Sequence, residues 1–124
     1  QEFQGFGSDR GIHSELNRFL AEKEEALIID GCRNTGGNGS LLQPLMDELI
    51  RSGLSTDPEK LYVIIGNRTY SAAMNFASRL ERYTDATFVG QPTGSLPNMI
   101  GDNNTFTLPY SGLTVSYSNR LWQD

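Results

Sequence analysis

A chain of 124 residues is long enough for one domain with a real core and too short for two comfortable ones. Its 37% hydrophobic and 20% charged residues fit a globular protein, and a net charge of −5 with ten scattered basic residues argues against a nucleic-acid surface. The single cysteine, Cys32, excludes an internal disulfide, and no apolar run approaches the length that spans a bilayer.

In chain order, Glu2 to Phe6 ("EFQGF") reads as an opening strand that starts abruptly, as though the chain were cut from something longer. Ile12, Leu16, Phe19 and Leu20 then form one apolar stripe, the mark of an amphipathic helix, with Ser8 or Asp9 as its N-cap. "ALIID" is a buried strand ending at Asp30, and the glycine-rich loop "GCRNTGGNGS" follows. A second helix begins near Ser40 and carries Leu42, Leu45, Met46, Leu49 and Ile50, with Pro44 in its first turn and Gly53 ending it. "STDP" is a turn, and "KLYVIIG" is a strand read as buried on both faces. Ala72, Ala73, Phe76, Ala77 and Leu80 fall at helical spacing over residues 71 to about 83, and "ATFVG" is a fourth strand. After the loop 91–104, "TFTLP" and "LTVSYS" make a β-hairpin around "YSG".

The order β-α-β-α-β-α-β plus hairpin implies an α/β fold with a mostly parallel sheet, crossover helices and a C-terminal hairpin. In such a sheet the loops at the carboxyl ends of the strands form the binding crevice. The qualifying loops are 31–40, 66–71 and 90–102, all rich in glycine or small polar residues. Arg68, Gln91 and Asn98 lie in them and are candidates for contacting a peptide.

Gly36, Gly37 and Gly39 permit a turn whose N–H groups face a ligand, although their spacing fits neither the dinucleotide nor the phosphate-loop pattern. Ser71, between a strand and a helix, suits two roles. As an N-cap it would stabilise the helix by about 1 kcal/mol, the better reading in isolation. As a nucleophile it would need two nearby N–H donors for an oxyanion, and Ala72 together with the Gly36/Gly37 turn supplies candidates.

Three motifs taken together resemble the S41 peptidases, the tail-specific or carboxyl-terminal processing serine peptidases. "LIIDGCRNTGG" is similar to their Asp-Leu-Arg-x-Asn-x-Gly-Gly segment, with Asp30, Asn34, Gly36 and Gly37 in place. "TYSAAM" is similar to their nucleophile motif and puts the nucleophile on Ser71, while "VGQPTG", residues 89–94, matches a later one. The resemblance covers residues 2 to about 117. It implies a single peptidase core domain, 1–124, of the ClpP/crotonase-like fold. It further implies acyl-enzyme chemistry on a peptide or protein substrate, oxyanion donors at the Gly-Gly loop and Ala72, no cofactor, and a life outside the cytoplasm.

Departures from the family pattern are specific. Cys32 stands where the family has arginine, Met74 where it commonly has glutamate, and no lysine follows Lys60, so the family's Ser/Lys dyad is not assembled here. The only histidine, His13, sits early in the first helix and reads as a surface residue, so the general base is expected from a part of the protein beyond this segment. A non-catalytic binding module of the same fold, taking a peptide or apolar ligand in the crevice, is the alternative. A crotonase-like acyl-CoA enzyme ranks behind it, because no basic cluster for the nucleotide is present. Cys32 has no histidine near it in sequence, and no cluster of His, Cys and carboxylates has metal-ligand spacing.

Overall fold

The computed structural model describes residues 9–22 and 25–123. The expected strand at 2–6, the Ser8 cap, and the side chains of Asp9, Ile12, His13 and Leu20 lie outside what is described. Helix α1 covers Asp9–Glu22, and Leu16 and Phe19 of its stripe pack into the core.

Three short parallel strands form the sheet: β1 Leu27–Asp30, β2 Leu61–Ile65 and β3 Thr87–Gly90, in the order β1-β2-β3. The register sets Leu27 beside Leu61 and Asp30 beside Ile64, then Tyr62 beside Thr87 and Ile65 beside Gly90. Between them run helix α2, Gln43–Arg51, and helix α3, Ala72–Tyr83. A 3₁₀ turn at Gly39–Leu42 precedes α2, capped by Asn38, whose side chain accepts the Ser40 N–H at 3.1 Å. The onset expected near Ser40 is thus a tighter turn, with the α-helix starting one residue before Pro44. Gly53 lies past the end of α2 at φ +77°.

Both crossovers run the same way along the strand order, so α2 and α3 come down on one side of the sheet. Leu45, Met46 and Leu49 from α2 and Phe76 and Leu80 from α3 meet Leu61 and Val63 there, with Leu16 of α1 beside them. Burial of each such side chain contributes about 1.5–3 kcal/mol before entropy is set against it. The opposite sheet face is barely covered: Ile28 is 59% and Val89 50% exposed, and Tyr62 and Ile64 are half-buried. The expectation of β2 buried on both faces, and of β1 as a buried strand, is corrected accordingly. Helices sit on one side only among the described residues.

Strands β4, Met99–Thr107, and β5, Thr114–Trp122, form the hairpin, with Met99 opposite Trp122 and Thr107 opposite Thr114. It is longer at its base than the sequence suggests, because cross-strand pairing carries Gly101 to Asn104 into a strand despite their poor β-propensity. The loop expected over 91–104 therefore ends at Asn98. Phe106 and Tyr117 meet edge to face at 6.2 Å, and the Arg120 guanidinium lies 4.5 Å from the centre of the Trp122 ring. The architecture is mixed α/β, a three-stranded parallel sheet plus a two-stranded antiparallel hairpin.

Candidate active site

Ser71 occupies the corner between β2 and α3. Its backbone has φ +54° and ψ −126°, a conformation an L-residue adopts only under constraint, and its side chain makes no capping hydrogen bond. The N-cap role, the better reading in isolation, is therefore not the one the side chain performs. Ser71 is half-buried and lines a cleft. Helix α3 begins with the Ala73 N–H on Tyr70 O at 3.1 Å and the Asn75 N–H on Ser71 O at 3.0 Å, while the Ala72 N–H makes no hydrogen bond among the described residues.

Thr69 holds this corner. It is 1% exposed, and its hydroxyl donates to Gly31 O at 2.8 Å while accepting the Gly66 N–H at 3.0 Å. Its carbonyl accepts the Gly94 N–H at 3.0 Å. One residue thus joins the loops that follow β1, β2 and β3. A buried hydroxyl with both partners made avoids the penalty of an orphaned polar group, which runs to about 1–3 kcal/mol. Sequence reasoning passed over it, although a threonine two residues before the serine was visible in "TYS".

The glycine turn lies directly against Ser71. A Cβ placed on Gly36, at φ +101°, would stand 2.7 Å from Ser71 Cβ and 2.8 Å from Tyr70 O, so only glycine permits this approach. Asn34 ties the two loops: its main-chain carbonyl accepts the Tyr70 N–H at 3.0 Å, and its Oδ1 accepts the Gly36 N–H at 3.0 Å. The Gly36 N–H is thereby committed within its own turn, which removes it from the expected oxyanion donors. Gly37, which lines the cleft, and Ala72 keep N–H groups that bond to nothing among the described residues.

The third loop arrives through Ser95, whose Oγ accepts the Ser71 N–H at 3.2 Å and whose carbonyl accepts the Thr93 hydroxyl at 2.9 Å. Arg68, Gln91 and Asn98 are exposed and do not line the cleft beside Ser71; the Gln91 main chain instead donates to Ile65 O at 3.1 Å. The cleft has a volume of about 730 Å³ and takes its walls from Gly37, Ser71, Asn75, Arg79, Arg120 and Trp122, among others. Asn75 and Arg79 follow from a signal already in the sequence, since they stand four and eight residues after Ser71 and share its side of α3. Arg120 and Trp122 carry no such signal, because local sequence ends the second hairpin strand at Ser118 whereas pairing extends it to Trp122.

Charge in the cleft is uneven. Arg79 Nη2 donates to Gln43 Oε1 at 2.6 Å, and Gln43 Nε2 in turn donates to Asp47 at 2.7 Å, so the guanidinium meets an amide instead of a carboxylate. Arg120 pairs with Asp102 at 3.3 Å in an exposed contact. Near the start of the glycine loop, the Asp30 carboxylate is held below its ordinary range by hydrogen bonds from the Cys32 thiol and from the Cys32 N–H at 3.0 Å. The same bond to Asp30 pushes the Cys32 thiol up, which keeps it protonated and a poor nucleophile. Among the described residues no group of three or more His, Cys, Asp or Glu is placed to hold a metal ion, and no helix is long and apolar enough to cross a membrane.

Compared with known proteins, the chain matches no family model, and neither a curated protein nor a solved structure is significantly similar to it.

Proposed function

We propose that this domain is the core of a serine hydrolase acting on peptides, of the S41 type and the ClpP/crotonase-like fold that its three motifs resemble. The observation that carries the reading is the strained backbone of Ser71, φ +54° at a strand-to-helix corner, with a glycine turn pressed against it and an open cleft in front. Strain of this kind costs about 1–3 kcal/mol and persists where the surroundings impose it, as they do at reactive serines. Ser71 Oγ adds to the substrate carbonyl carbon, the oxyanion settles on the Gly37 and Ala72 N–H groups, and the leaving amine departs from a Ser71 ester that water then cleaves. The hydroxyl proton passes to a base outside the described residues, which later returns it to the amine. An activated-serine probe tests this: a fluorophosphonate should label the full-length protein at Ser71, located by peptide mass spectrometry, and Ser71→Ala should abolish the label. Absence of labelling on folded full-length protein counts against the hydrolase.

A second reading, a peptide-binding module without catalysis, is favoured by one observation. The described residues lining the cleft include no lysine or histidine to take the proton. Saturable peptide binding together with failure of the probe distinguishes it.

A further inference from the structure

We infer that Arg79 is the recognition cation of the cleft and that the ligand it selects is a peptide bearing a carboxylate about three to four residues from the carbonyl held at Ser71. The distance in residues rests on the hydrolase reading; the charge preference does not. Eight residues of α3 separate Ser71 from Arg79, a rise of about 12 Å along one side of the helix. An extended peptide advances about 3.3 Å per residue, so three to four residues cover that span.

Arg79 is half-buried on the cleft wall and has no carboxylate partner among the described residues, its one hydrogen bond being to the neutral Gln43 amide. Gln43 fixes the guanidinium without neutralising it and leaves further N–H donors for a bidentate carboxylate. Arg120 adds a second positive charge across the cleft and Asp102 removes one, in a chain whose net charge is −5. Midway between Ser71 and Arg79 stands Asn75, whose Oδ1 is buried without a hydrogen-bond partner. Such groups are costly, and a main-chain N–H of a bound peptide would satisfy this one after rotation of the amide. Cation, orphaned acceptor and serine thus share one side of α3, with the first and last at a rise that three to four residues of an extended chain cover.

The test uses binding, so that it does not depend on turnover. Fluorescein-labelled octapeptides of glycine, alanine and leucine carry one internal Glu or, in its place, Gln, each with a free or an amidated C-terminus. Anisotropy is read on the full-length protein bearing Ser71→Ala. A charge-assisted bidentate contact should favour a carboxylate-bearing peptide over its fully neutral partner by about tenfold or more. The Glu and free-terminus arms show whether a side chain or a chain end supplies it. Adding Arg79→Glu should abolish or reverse the preference, Arg79→Gln should abolish it, and Arg79→Lys should keep part of it, with circular dichroism confirming that each is folded. Equal binding of all four peptides, binding of none, or a preference that survives Arg79→Glu overturns the inference. The hydrolase reading is scored separately by the fluorophosphonate: labelling without charge preference removes Arg79's role alone, and charge preference without labelling removes the hydrolase alone.

Discussion

At the scale of single residues, Ser71 carries a conflict between conformation and identity. Glycine would adopt its φ of +54° without steric cost, yet the chain keeps a side chain there. Ser71→Gly should therefore raise stability by about 1 kcal/mol, the relief of strain exceeding the extra chain entropy of glycine. A shift of the urea midpoint to higher concentration checks it, and an unchanged or lower midpoint would mean that Ser71 is not strained in solution. Gly36 shows the converse case. Its N–H serves Asn34 Oδ1 and its bare Cα lets the turn reach Ser71, so its contribution is steric and the free donor is its neighbour Gly37.

Among the elements, α3 has two duties on opposite sides. Leu80 is fully buried against Leu61 and Val63, while Asn75 and Arg79 look onto the cleft. Leu80→Ala should destabilise by about 2–5 kcal/mol, measured by denaturant unfolding, and a cost under about 1 kcal/mol would show that the packing described around it does not hold. The helices and the three sheet strands were legible because buried side chains recur at the periods of helix and strand, as Leu45, Met46 and Leu49 do in α2. The uncovered sheet face was not legible: Ile28 and Val89 are as apolar as Val63, and only the one-sided placement of the helices separates them. The hairpin base hid for another reason. Gly101, Asn103 and Asn104 look like a loop locally and are drawn into a strand, with Asp102 between them, by partners thirteen to nineteen residues away. In the site, Ser71 and the glycine turn could be read from motifs, whereas the cleft needed the hairpin and so escaped.

For the whole molecule, the hairpin stands apart from the sheet and its helices. Residues 103–119 contain no charged side chain, and all of them are exposed. Only Met99, Gly101 and Trp122 at its base are half-buried. Its tip residue Tyr110 is fully exposed, so brief chymotrypsin treatment should cut first after Tyr110, with mass spectrometry identifying fragments ending and starting at 110 and 111. First cleavage elsewhere, within β1 to β3, would contradict this ranking of accessibility. Thr69, by contrast, fastens loops from three different strands to one point, two through its buried hydroxyl and the third through its carbonyl. Heat or denaturant therefore meets the three loop ends as one unit: they stay gathered behind Ser71 until that knot slips, and then separate at once.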